Sequence, residues 1–192
     1  MPNWVRNRVR AKNREDAQKL IGILVKEVDG KKYTNFNGII PMPEELRNST
    51  AGSGNPEWEK EHKRNKEKYG YRHWYDFAVS EWGTKWDDLE VTIRDGVIVF
   101  ESAWSMPEPI YRKIAETIPI VVEYADEDIG CNFGICKYDN EGWCDINVDG
   151  TDIQIANAIW GYYSEEADDG EGSNYSDAVQ KAVDKIMDYN ED

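Results

Sequence analysis

Alternating and helical spacings of apolar residues divide the chain into an ordered set of elements. Residues 4 to 12, WVRNRVRAK, put Val5, Val9 and Ala11 on one parity and Arg6, Arg8, Arg10 and Lys12 on the other, which predicts a strand with a basic outer face. Asn13 can cap the next helix, with Glu15 and Asp16 in its first turn. Its apolar stripe runs through Ala17, Leu20, Ile21, Leu24, Val25 and Val28 and stops at Asp29-Gly30. Residues 31 to 80 follow no single period. The prolines of NGIIPMPEEL break long elements, STAGSGNP is turn-rich, and residues 57 to 74 are charged nearly all round, the pattern of an exposed helix. LEVTIRDGVIVFESAW then gives two alternating segments joined by Asp95-Gly96, a tight hairpin signal because glycine tolerates positive φ. PEPIYRKIAETIP predicts a short helix buried through Ile110, Ile114, Ala115 and Ile118, and IVVEYADE a further strand.

Strand, helix, insertion, hairpin, helix, strand is the βαββαβ order of a ferredoxin-like sandwich. The fold class is α+β, with an antiparallel sheet and both helices on one face. Beyond it, turns at Asn140-Glu141-Gly142 and Asp149-Gly150 predict a β meander that extends the sheet, with Ile146 and Val148 opposite Ile153 and Ile155. An acidic loop, EEADDGEGSN, and a terminal helix follow, the helix aligning Tyr175, Val179, Ala182, Val183, Ile186 and Met187. The expected organisation is one domain over 1–192: a ferredoxin-like core at 4–127 with a surface insertion at about 31–80, then an extension at 128–192.

Charge sharpens this picture. The net charge of −15 is uneven: residues 1 to 72 carry 16 Lys and Arg against 10 Asp and Glu, while residues 73 to 192 carry 7 against 28. An acidic half repels nucleic acid and attracts basic protein surfaces, although acidity also simply keeps proteins dissolved. No apolar run approaches the length of a membrane span, and no signal core follows the first charges, so a cytoplasmic protein without membrane partners is expected.

Candidate chemistry is sparse. Cys131, Cys136 and Cys144 are spaced C-x4-C-x7-C, and the two histidines, His62 and His73, lie far upstream, so free thiols are expected and neither a metal nor another cofactor. DINVDG at 145–150 imitates a calcium loop, but its twelfth position falls on Ala156 where a glutamate is needed. No nucleophile elbow, P-loop or dinucleotide fingerprint is present, and no catalytic residues are assigned.

The stretch SEWGTKWDD, residues 80 to 88, has two readings. Trp82, Trp86 and Trp104 can gather at the hairpin's end as core or loop anchors, or they can form a shallow aromatic site rimmed by Glu81, Lys85, Asp87 and Asp88 that stacks a base or holds an arginine.

MPNW-x2-N, IIPMPEEL, WGTKWD, FESAWSMPEP and YADEDIGCNFG occur here in the order found in the Api92-like, YubB ferredoxin-like proteins, and the chain resembles that family over about residues 1 to 143. The resemblance implies a ferredoxin-like fold and an accessory protein of phages or other mobile elements, and it offers no catalytic residues to carry over. A cysteine commonly follows the first tryptophan in the family; here Val5 stands there, so any thiol role at that place is absent.

Together these readings lead to the expectation of a non-enzymatic phage or mobile-element accessory protein in the bacterial cytoplasm. It would bind a basic host protein, such as a defence factor, by presenting carboxylates in place of nucleic-acid phosphates. The candidate acidic residues are Asp126, Glu127 and Asp128 together with Glu165, Glu166, Asp168, Asp169 and Glu171. The alternative is a nucleotide or single-stranded nucleic-acid binding module built on Trp82, Lys85 and Trp86, which the overall charge opposes.

Overall fold

The computed structural model describes residues 2–146, 151–161 and 184. The chain opens with strand β1 (Trp4–Ala11), whose Val5, Asn7 and Val9 are buried, and helix α1 (Arg14–Leu24). Asn13 caps α1 by accepting the Asp16 N–H, as its side chain predicts. The helix ends four residues earlier than its apolar stripe suggests. Val25–Val28 is strand β2, and Asp29-Gly30, with φ of 51° and 75°, is the turn into β3 (Lys31–Thr34). An Asp-Gly pair serves a two-residue hairpin as well as a helix stop, and the β-branched Val25 and Val28 favour the strand.

Short helices α2 (Phe36–Ile39) and α3 (Glu44–Arg47) follow, then α4 (Pro56–Tyr69), α5 (Trp74–Phe77) and a π-helical turn, Ala78–Trp82. Helix α4 is the exposed charged helix of the sequence reading: Asn65 is its sole buried residue, and Gly70 at φ 82° ends it. The segment around it is not all surface, because Phe36, Met42, Leu46, Phe77, Ala78 and Trp82 enter the main core.

Strands β4 (Thr92–Arg94) and β5 (Val97–Ala103) form the hairpin that turns at Asp95-Gly96, at φ 50° and 80°. Helix α6 (Glu108–Ala115) buries Ile110, Tyr111, Ile114 and Ala115 and leads to β6 (Ile120–Asp126), β7 (Phe133–Asp139) and β8 (Gly142–Asp145). Among the described residues the sheet has the order β4-β5-β1-β6-β7-β8, antiparallel at every pairing. Its first four strands have the ferredoxin-like order, and β7 and β8 extend the β6 side. Helices α1 and α6 pack on one face, where Tyr111 donates its hydroxyl hydrogen to buried Asn7 Oδ1 at 2.7 Å.

The opposite face differs from the expected meander. Residues Asp152–Trp160 form a helix, α7, not a strand across from Ile146. Thr151 and Gln154 make a reciprocal capping box, and Ile155, Ala156, Ile159 and Trp160 pack on Val121, Ala125, Ile135 and Ile146. The Asp149-Gly150 turn, the acidic loop and, apart from residue 184, the terminal helix expected at 175–187 lie outside the described residues, as do Glu165, Glu166, Asp168, Asp169 and Glu171.

Helix α7 also removes the open basic face expected of β1. Arg6 lies 4.5 Å from the Trp160 ring centroid and donates to Trp160 O, Arg8 donates to Ala158 O at 3.4 Å, and Arg8 and Arg10 both pair with buried Glu123. Three arginines that read as a solvent-facing row are ion-paired to Glu101 and Glu123, and two of them, Arg6 and Arg8, lie beneath a helix.

Candidate functional site

The WGTKWD segment is pinned to the end of the sheet. Gly83, at φ 77°, follows the π-helical turn, and a side-chain carbon there would meet Pro109 Cδ at 2.7 Å, so the backbone crossing requires glycine. Buried Thr84 both donates to Ala103 O and accepts from Ala103 N at 3.0 Å, and Ser105 donates to Gly83 O. These bonds set the next residues, Lys85 and Trp86, beside the residue that leaves β5, Trp104.

The three expected tryptophans separate into two roles. Trp82 is buried against Phe36 and Phe77, its indole N–H donating to Ile40 O at 2.9 Å, so it is first a core anchor, and only its 5% exposed edge reaches the cleft described below. Trp86 is half-buried and packs against Trp4 at a tilt of 34°, with centroids 5.9 Å apart. Trp104 is 43% exposed and holds φ of 67°, a left-handed conformation that costs a bulky residue about 1–3 kcal/mol. Hydrogen bonds from Trp104 N to Asn3 O (2.9 Å) and from Asn132 Nδ2 to Trp104 O (3.3 Å) keep it there. Lys85 Nζ sits between the outer two, 4.2 Å from the Trp86 ring centroid and 5.3 Å from that of Trp104.

Beside Lys85 opens a cleft of about 230 Å³ lined by Met42, Arg47, Trp74, Trp82, Lys85, Trp86, Asp87 and Asp88. Arg47 comes from the end of α3, and Trp74 from α5. The His73 imidazole caps α5 by accepting the Asp76 N–H at 3.3 Å, and burial pushes its pKa down, toward the neutral form that can accept. The sequence reading missed Arg47, Trp74, Tyr75 and Trp4, which reach this region from segments far apart in the chain.

The carboxylates expected to rim the site are mostly engaged elsewhere. Asp87 accepts from Thr34 Oγ1 and Phe36 N at 2.9 Å and from Asn37 N at 3.0 Å, which fixes the entry to α2. Asp88 pairs with Lys26, and Glu81 accepts from the Tyr71 hydroxyl and raises its pKa. Asp126 is buried and accepts from Asp128 N at 2.9 Å and Asn3 Nδ2 at 3.5 Å. Glu127 exchanges main-chain and side-chain bonds with Trp4, and Asp128 alone of that trio lies exposed with its side chain uncommitted among the described residues. By contrast, neither Arg47 nor Lys85 has a carboxylate within 4.0 Å among the described residues. The cleft thus holds two cations without a carboxylate partner among the described residues, beside two carboxylates, Asp87 and Asp88, that are engaged by Thr34, main-chain N–H groups and Lys26.

The remaining candidate chemistry stays dispersed. Cys131 and Cys144 are exposed, and buried Cys136 has its thiol pushed up to about 12, first by desolvation and then by Asp145. Among the described residues no group of three His, Cys, Asp or Glu side chains is placed to hold a metal, and no helix is long and apolar enough to cross a membrane.

Comparison with known proteins gives one match: the family described as the ferredoxin-like domain in Api92-like protein fits residues 81–175. No curated protein and no solved structure matches the chain. The matched residues include WGTKWD, strands β4 to β8, and helices α6 and α7, whereas β1, which lies inside the sheet between β5 and β6, precedes them. With the sheet order and the family match in agreement, the chain carries the ferredoxin-like domain of the Api92-like proteins.

Proposed function

We propose that this protein is a non-catalytic binding module whose cleft between Trp74 and Trp86 takes a planar anionic ligand of nucleotide chemistry. The observation that carries this reading is the pairing of indole surface with two cations, Arg47 and Lys85, that have no carboxylate partner among the described residues. A planar π-system gains from stacking on indole, and a phosphate gains from an ammonium and a guanidinium that surrender no existing ion pair. Titration with nucleoside monophosphates, followed by tryptophan emission, should give saturable quenching. Lys85→Ala and Arg47→Ala should each weaken binding about tenfold, the loss of roughly 1.4 kcal/mol. Flat emission across all the nucleotides would remove the reading.

A second reading keeps the acidic surface as the working part. Its support is that residues 162–192 hold ten Asp and Glu against two Lys and Arg, which is more than half of the net charge. In that reading a phage or mobile-element accessory protein occupies the nucleic-acid groove of a basic host protein and thereby inhibits a defence factor. Asp126, Glu127 and Asp87 contribute little to it, being held in internal hydrogen bonds. Capture from host lysate should give a partner that is lost at high salt and with Glu165, Glu166, Asp168, Asp169 and Glu171 neutralised together. A partner retained under both conditions counts against acidic mimicry.

A further inference from the structure

We infer that the site accepts two consecutive bases of a single-stranded nucleic acid, one on Trp86 in the cleft and the next on Trp104, with Lys85 on the phosphate between them. This rests on the nucleotide reading above and adds a second stacking position to it. Trp104 does not line the cleft, yet the same lysine ammonium lies within cation–π distance of both indoles. The two aromatic surfaces are thus adjacent and share one cation that lies over both rings, so bases that stack there displace the ammonium toward the phosphate, and a single planar ligand in the cleft leaves the second ring unused.

The way Trp104 is held supports a platform. The indole is exposed even though its backbone stays at φ 67°, so burial does not explain a conformation that a bulky residue ordinarily avoids. Tyr75 meets the ring edge-on, at 6.3 Å and 89°, bracing it without stacking against its face. Asn132, itself at φ 43°, fixes the carbonyl of the same residue. Proteins that bind single strands stack successive bases on aromatic side chains and meet the backbone with a cation, an arrangement that needs no base-specific hydrogen bonds. Bases already stacked within a duplex cannot use it.

The charge of the remainder limits the site to a short one. One or two phosphates fall near Lys85 and Arg47, and the chain as a whole carries a net charge of −15, so longer strands should gain little. The salt dependence should be correspondingly shallow, with log K falling by about 0.7 to 1.4 per decade of salt, the slope for one or two phosphates on a single strand.

The test uses the full chain and tryptophan quenching with dTMP, the dinucleotide pTpT, an oligothymidine of ten residues, and a duplex of the same length. Three proteins are compared: the native chain, Trp104→Phe and Trp104→Asn. Asparagine tolerates positive φ, so the last variant removes the platform while easing the backbone, and its fold is checked by circular dichroism. The expected result is that pTpT binds at least about tenfold tighter than dTMP, that the ten-residue strand adds little, and that the duplex binds weakly. Trp104→Asn should abolish the gain from the second base and leave dTMP affinity in place, while Trp104→Phe keeps part of the gain. Equal affinities for pTpT and dTMP, an equal loss of both in Trp104→Asn, or a duplex that binds as well as the single strand would overturn the inference while leaving the one-nucleotide reading standing. Failure of dTMP and every oligonucleotide to bind would overturn both.

Discussion

Glu123→Ala is expected to destabilise the protein by about 3 kcal/mol, with a proportionate fall in its urea midpoint. Glu123 lies on β6 with its side chain 1% exposed, facing Arg8 across the β1/β6 ladder. One carboxylate oxygen is 3.0 Å from Arg8 Nε and the other is 2.7 Å from Arg10 Nη2, so a single buried anion serves two cations on the same face of β1. Removing it takes the shared carboxylate from two neighbouring guanidinium groups, of which Arg10 is the less exposed, at 13%. Arg8 is 28% exposed, which places the expected loss at the lower end of the range for a broken buried pair. Replacing all three by apolar residues of similar volume, Arg8→Met, Arg10→Met and Glu123→Leu, should recover most of it, since no buried charge is then orphaned. If Glu123→Ala unfolds at the native urea concentration, or the triple variant is the weaker of the two, the pair is not holding the sheet to its second layer.

The second large effect separates the tryptophans. Trp82→Ala should cost about 3–5 kcal/mol, because it removes a buried indole from between Phe36 and Phe77 and strands Ile40 O, the acceptor of its N–H. Trp86→Ala, on a half-buried side chain that packs at a tilt against Trp4, should cost far less stability and act chiefly on ligand affinity. Thermal unfolding and nucleotide quenching measured on both variants form the check. A Trp86→Ala protein as unstable as Trp82→Ala would mean that both indoles belong to the core, and the cleft would lose its standing as a binding site.

The ferredoxin-like frame was legible because its elements carry local signals. The parity of Val5 and Val9, the Asn13 cap, the Asp95-Gly96 turn and the stripe through Ile110 and Ile114 each arise within a few residues and agree with one another. Where one signal serves two structures, the reading failed. Asp29-Gly30 ends helices and also turns hairpins, and the surrounding valines fit the helical stripe and the strand alike. Ile153 and Ile155 alternate as a strand would, but Thr151-x-x-Gln154 is a helix start, and that pair was the discriminating signal for α7.

The site was legible only in part, for a related reason. Trp86 and Trp104 could be brought together on paper because one precedes the hairpin and the other leaves it. Arg47, Trp74 and Trp4 arrive through α3, α5 and the first strand, over sequence distances at which no spacing rule applies. The acidic residues misled because composition counts charges and does not say which are spent. Asp87 and Asp126 read as surface carboxylates, yet one holds the entry to α2 and the other is buried beneath the clasp between Asn3, Trp4 and Glu127.

The interior position of β1 has a consequence for synthesis. Its two neighbours, Val97–Ala103 and Ile120–Asp126, are translated long after it, and at about 5–20 residues per second β1 waits roughly 6–25 seconds for the second of them. Both of its hydrogen-bonding edges are open until Val97–Ala103 is made and one stays open until Ile120–Asp126 follows, and Arg8 and Arg10 precede the carboxylate that will neutralise them. A ribosome stalled before residue 120 therefore presents an unsealed, positively charged strand to whatever chaperone or nucleic acid stands at the exit tunnel.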